Sequence, residues 1–186
     1  MDYDEIMMNA EERMESALEA LGNSFSSVRT GRANAKVLDR IRVEYYGAMT
    51  PINQIAGIKT PDARLLVIEP WDKGALKPIE KAIQESDLGV MPSNDGMVIR
   101  LPFPELTEER RRELAKQCKG YAEDARVAVR NARRDANTAL SKAEKAGDIT
   151  EDDLRGGENE VQKLTDKYVA KVDAAYKVKE AELMEV

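Results

Sequence analysis

The sequence predicts an α+β protein. An elongated antiparallel three-helix bundle, residues 1–30 and 106–186, carries a smaller inserted β/α sandwich-like domain, residues 31–105. Three observations predict this. All seven prolines, Pro51 to Pro104, and the only tryptophan, Trp71, fall in the middle of the chain. Proline removes a backbone donor and clashes with the preceding turn, so the flanks are free to form long helices and the centre is not. Apolar residues recur at helical spacing in both flanks and at strand spacing in the centre.

The first helix should run to about Arg29. Met7, Met14, Leu21 and Val28 are spaced by sevens, Leu18 and Phe25 broaden the seam, and Gly31 ends it. In the centre, Ile41, Val43 and Tyr45 alternate at period two, and residues 64–69 and 97–101 are also strand-like. Asn94-Asp95-Gly96 is a turn signal. Residues 74–86 read as a short helix with Leu76, Ile79, Ala82 and Ile83 inward, so a small mixed sheet backed by a helix is expected.

The second long helix should begin at Thr107, an N-cap followed by Glu108 and Glu109 at the positive end of the dipole. It runs to Ala146, with Gly147 as its stop. At 1.5 Å per residue it is roughly 60 Å long. The third starts at Thr150, where Thr150-Glu151-Asp152-Asp153 resembles a capping box. It carries Leu154, Val161, Leu164, Tyr168, Val172 and Ala175 on one side. Gly156 and Gly157 lie in its first turns, and at a cost of about 1 kcal/mol for each glycine, fraying or bending is expected there.

Composition excludes several chemistries. The chain has no histidine and one cysteine, Cys118, so His-based triads, His-ligated metals and an intramolecular disulfide are impossible. Cys118 falls on the apolar side of its helix and reads as core. No run approaches 18 apolar residues and the first residues are acidic, so a soluble cytoplasmic protein with no membrane partner is expected. There is no phosphate-loop motif, and most acids lie on solvent-facing helix positions or beside bases at i+4 spacing. No catalytic residues, metal or cofactor are expected.

The most informative feature is a local inversion of charge. The net charge is -6, yet nine of the twelve charged residues from Arg110 to Arg134 are cationic. At about 100° per residue, Arg112, Lys116, Lys119, Arg126, Arg130, Arg133 and Asn137 fall within an arc of roughly 100°. Only Glu123 interrupts it. Leu114, Cys118, Tyr121, Ala125, Ala128, Ala132, Ala136, Ala139 and Ala143 cluster roughly 140° away as the expected buried face. Two readings fit the stripe. It solvates an outer face, as charged stripes commonly do, or it grips phosphate, for which planar guanidinium forks are suited. Residues 1–28 hold seven acids against Arg13, and residues 150–186 hold ten acids against six bases. In so acidic a chain, a one-sign stripe favours contact with a nucleic acid. The alternative is a helical adaptor that presents the β-rich domain to a protein. Tyr121, Tyr168 and Tyr176 lie near apolar seams and read as packing residues.

Two connections join the domains, one at Thr30 and Gly31 and the other at Pro104, Glu105 and Leu106. Either a hinge or a stiff strut fits; two parallel connections restrict motion more than one does, which favours a restrained hinge.

Several segments carry a resemblance from end to end: Arg29-Thr30-Gly31-Arg32-Ala33, Val43-Glu44-Tyr45-Tyr46-Gly47, Ser86-Asp87-Leu88-Gly89, Leu106-Thr107-Glu108-Glu109-Arg110-Arg111, residues 125–137, Val161-Gln162-Lys163-Leu164-Thr165-Asp166 and Lys179-Glu180-Ala181-Glu182-Leu183. Together and in order they resemble the bacterial ribosome recycling factor family. The chain departs from the family pattern at Arg155-Gly156-Gly157. The resemblance implies an L-shaped, monomeric protein of transfer-RNA-like outline. It implies binding to the post-termination ribosome through large-subunit ribosomal RNA and separation of the subunits with elongation factor G and GTP, the smaller domain meeting the translocase. It implies Arg130 and Arg133 as RNA contacts, with Arg29, Arg32, Arg110 and Arg111 as further matching positions. Arg126 and Lys119 join them from the stripe. Beside the first connection, Arg29 and Arg32 have a second reading, fixing the inter-domain angle.

Overall fold

The computed structural model describes residues 1–185, and its contacts divide the chain into two compact units. One unit comprises Met1–Phe25 and Ala115–Ala181; the other comprises Ser26–Leu114 and the C-terminal residues from Glu182.

The first unit is helical. Helix α1 spans Tyr3–Ser27 and buries Ile6, Ala10, Met14, Leu21 and Phe25. It stops four residues before Gly31, the expected terminator. Ser24, Ser26 and Ser27 crowd its last turn, and short hydroxyls there compete for backbone groups.

The central segment holds four strands, then helix α2 and two more strands. They are β1 (Arg42–Tyr45), β2 (Ala48–Pro51), β3 (Ala56–Asp62), β4 (Leu65–Pro70), α2 (Leu76–Glu85), β5 (Ser93–Asn94) and β6 (Ile99–Pro102). Helices α3 (Glu108–Lys145) and α4 (Glu151–Met184) follow.

The caps form as expected. Thr107 Oγ1 accepts from Arg110 N at 3.1 Å. At the far end of α3, Gly147 takes φ 78°, and Asp148 N donates to Ala143 O while Gly147 N donates to Glu144 O, the Schellman pattern. Thr150 and Asp153 then cap α4 reciprocally, at 3.1 and 3.0 Å.

Packing partners give the helix directions. Ile6, Leu140 and Val161 share one apolar cluster, and Met14, Val129 and Tyr168 share the next. Numbers rise along α1 and α4 while they fall along α3, so α3 is antiparallel to both. The buried residues of α3 are Leu114, Cys118, Ala122, Ala125, Val129, Ala132, Ala136, Leu140 and Ala143. This face is rotated by about 40° toward the cationic arc from the expected one. Ala128 is exposed and Tyr121 and Ala139 are half-buried, whereas Val129 and Leu140, the bulkier side chains, are fully enclosed.

Gly156 and Gly157 do not interrupt α4, which runs unbroken through both. Gly157 is a buried position of close approach: a Cβ there would lie 2.9 Å from Leu140 Cδ2 and 3.0 Å from Tyr3 Cε2. Packing on neighbouring helices holds a turn that propensity alone would loosen.

In the second unit every strand pairing is antiparallel, so the mixed sheet expected from sequence is corrected. β1 and β2 form a separate hairpin, and the other four strands follow the order β3-β4-β6-β5. Leu66 opposes Leu101 and Ile68 opposes Ile99, placing two fully buried cross-strand pairs on the core face. Ile79 and Ile83 of α2 complete that core with Val43, Ile52 and Phe103. Asn94-Asp95-Gly96 is the expected turn: the Asp95 carboxylate accepts from Met97 N and Val98 N, each at 2.9 Å, and Gly96 takes φ 88°. Among the described residues no helix is long and apolar enough to cross a membrane.

Candidate nucleic-acid interface

The rotated packing face of α3 decides how each stripe residue is presented. Lys119 and Arg130 are exposed; Arg126 and Arg133 lie beside the apolar seam and are half-buried. Lys119 and Arg133 make no ion pair or hydrogen bond with any described residue. Asn137 ends the row with its Oδ1 buried and unpartnered among the described residues.

Arg126 is held differently. Its Nε donates to Oδ1 of Asp173 on α4 at 2.8 Å, its Nη2 lies 2.7 Å from the same oxygen as an ion pair, and its Nη1 donates to Glu123 Oε2 at 3.0 Å. Only 19% of the side chain is exposed. The Asp173 hydrogen bond, more than the Glu123 one, pushes its pKa above the ordinary guanidinium value. Arg130 keeps half of its side chain exposed, with Nη1 3.7 Å from Glu123 Oε1.

The remaining candidate arginines, Arg29, Arg32, Arg110 and Arg111, belong to the second unit. Arg29 Nη2 donates to Pro104 O at 2.6 Å, and its guanidinium lies 5.6 Å from the Phe103 ring centroid. Burial, and next the charge of nearby Arg110, pull its pKa down. Its Nε and that of Arg111 are buried and unpartnered among the described residues. Arg110 bonds Glu113 at 2.8 Å and Arg32 pairs with Glu185 at 3.1 Å. Glu105 pairs with Arg64 at 2.5 Å, a hydrogen bond that lowers its pKa. Arg32 N donates to Thr30 Oγ1 at 3.3 Å. The Arg29-Thr30-Gly31 segment is therefore tied directly to the segment at Pro104.

Sequence reasoning missed Asp173 and the double contact of Glu123. The residues were visible, but no local spacing signals a pair 47 positions apart. Tyr168 packs as expected, 3% exposed, with its hydroxyl donating to Glu15 at 2.7 Å. Cys118 is buried, which raises its thiol pKa.

This arrangement offers a row of cations along one side of a packed helix. It is suited to docking against a polyanion.

Known proteins match along almost the whole length. The family model described as ribosome recycling factor matches residues 21–184. The ribosome-recycling factor of Geobacillus kaustophilus is 60% identical over 182 residues, covering 98% of each chain. That of Bacillus cereus is 59% identical over the same coverage. A solution structure of the ribosome recycling factor superposes with TM-score 0.82 at 40% identity, covering 100% of this chain and 99% of that one. A second structure has TM-score 0.69 at 45% identity and covers 100% of both chains. It is described as models for the T. thermophilus ribosome recycling factor and the E. coli elongation factor G bound to the E. coli post-termination complex.

Proposed function

The chain belongs to the ribosome recycling factor family, and on that premise we propose that it binds the post-termination ribosome and, with elongation factor G and GTP, promotes its separation into subunits. The solved relative described with elongation factor G on a post-termination complex supports both partners. The cationic face of α3 lies against large-subunit ribosomal RNA. The observation that carries this is the row Lys119, Arg130 and Arg133, presented on one helix whose adjacent face packs into the apolar clusters.

Fixed cations bind backbone phosphate and set position without reading sequence, releasing counterions as they do so. Lys119, Arg130 and Arg133 make the direct contacts; Arg126 contributes from beneath by holding its neighbours. Arg110 and Arg111 extend the RNA contact from the first turns of α3. Arg29 serves first as a tie between the two connections, which its bond to Pro104 supports, and Arg32 serves first to hold the C-terminal Glu185 beside the first connection. Thr30, Gly31, Pro104, Glu105 and Leu106 form a restrained hinge between a bundle of residues 1–30 and 106–186 and an inserted domain of residues 31–105. That inserted domain meets the translocase.

The factor acts as a monomer in the cytoplasm and performs no bond chemistry; the energy comes from the partner's GTP hydrolysis. A subunit-separation assay on post-termination ribosomes, with and without elongation factor G and GTP, tests the proposal. Separation only in the complete mixture is the expected result. Absence of separation there would defeat it.

A further inference from the structure

The one carboxylate inside the cationic arc is placed against two arginines at once. Glu123 turns Oε2 to Arg126 Nη1, at 3.0 Å, and Oε1 to Arg130 Nη1, at 3.7 Å. Arg126 is itself anchored on Asp173 of α4. The result is a chain of alternating charge, Asp173, Arg126, Glu123 and Arg130, that runs from the partly buried seam to the exposed rim. The side chains at its outer end are 57% exposed for Glu123 and 50% for Arg130. One turn farther along, Arg133 has no such partner among the described residues.

A glutamate carboxylate and a phosphodiester each carry one negative charge and offer oxygens that suit a guanidinium fork. Glu123 therefore occupies, beside Arg130, the kind of position that a backbone phosphate would take. Two charges balance two in the chain, so the middle of the row, at Arg126 and Arg130, presents little net charge at rest. Lys119 and Arg133 present theirs in full.

We propose that Glu123 is a specificity-determining residue that competes intramolecularly with RNA phosphate for Arg130 and so keeps the protein off RNA whose phosphates do not fit the whole row. This rests on reading the α3 face as the RNA-binding surface. On a matching RNA surface, Lys119 and Arg133 engage first, and the next phosphate is then held beside Arg130 at high effective concentration, where it displaces the carboxylate. On loosely placed phosphates no such advantage exists, and exchanging one anion for another gains little. Discrimination arises from an opposing element built into the site as well as from the attractive ones. Arg126 is a positioning residue here: anchored on Asp173, it holds Glu123 within reach of Arg130.

The test compares the full chain with Glu123→Gln, which keeps shape and removes charge at an exposed position. Binding is measured across a salt series to ribosomes and to a short RNA duplex of non-ribosomal sequence. Glu123→Gln should bind the duplex about 1.5- to fivefold more tightly, the range of an exposed ion pair. Its salt slope should steepen by roughly 0.7–0.9, one released contact. Ribosome affinity should rise less, so the ratio between the two falls. Adding Arg130→Ala to Glu123→Gln should abolish the duplex gain. An unchanged or weaker duplex affinity, or a gain that survives Arg130→Ala, overturns the proposal. Failure of the unaltered protein to bind ribosomes would count against the proposed function instead, while the duplex measurements would still decide the role of Glu123.

Discussion

Gly157 of α4 faces Leu140 of α3 so closely that a Cβ at Gly157 would stand 2.9 Å from the Leu140 Cδ2. Leu140 is fully buried, so it has little room to yield. Gly157→Ala gains about 1 kcal/mol in helix propensity but must force apart side chains whose overpacking costs about 1–3 kcal/mol. The expected outcome is a net loss in denaturant unfolding. At Gly156 a Cβ would meet nothing within 4 Å. Gly156→Ala should therefore stabilise the chain by about 0.5–1 kcal/mol. Opposite signs at adjacent glycines are the result to look for.

Arg133 has no ion pair or hydrogen bond to lose among the described residues. Arg133→Ala should leave unfolding stability within about 0.5 kcal/mol and weaken ribosome binding about tenfold, the loss of one charge-assisted phosphate contact. Arg126→Ala is expected to behave differently. It removes hydrogen bonds to both Asp173 and Glu123, and stability should fall by about 1 kcal/mol. Paired melting and binding measurements on both variants separate the two roles.

Arg29 reaches the Pro104 carbonyl and covers Phe103. Loss of a hydrogen bond from a charged donor costs about 1–2 kcal/mol. Arg29→Ala should therefore speed amide exchange in residues 28–33 and 102–106 more than in the helices of the first unit. Uniform acceleration through the chain would argue that Arg29 supports the whole fold and not these two connections.

Tyr3, Tyr168 and Tyr176 each have a phenol pKa pushed up to about 12. For Tyr168 the leading cause is its hydrogen bond to the Glu15 carboxylate, followed by burial; for Tyr3 burial leads and Glu160 follows. The neutral phenol is the form the fold favours, so its contribution is complete below the ordinary value of 10.0 and is lost as pH rises toward 12. The stability of the protein should decline across that window. Tyr168→Phe should make the decline shallower, as read by denaturant midpoints at each pH.

Residue spacing was enough to locate the long helices, their caps and the Asn94-Asp95-Gly96 turn, because those signals are local. β3 was missed for a physical reason. It is the edge strand of its sheet and holds Gly57 and Pro61. Its last four residues are exposed, so no apolar alternation survives in it. The orientation of α3 was legible only to about 40°, since alanines mark a packing face weakly and Val129 and Leu140 carry the larger contacts. Gly157 read as a flaw in a helix because the Leu140 and Tyr3 side chains that require it lie on other helices. The stripe itself was legible. The division of labour within it was not, because Asp173, 47 residues away, decides it.

The most direct test of the central claim is the salt dependence of ribosome binding by the unaltered chain and by Arg133→Ala. The account predicts steep, linear loss of log affinity with log salt for the unaltered chain and a slope shallower by roughly 0.7–0.9 for the variant. Equal slopes and equal affinities would contradict it.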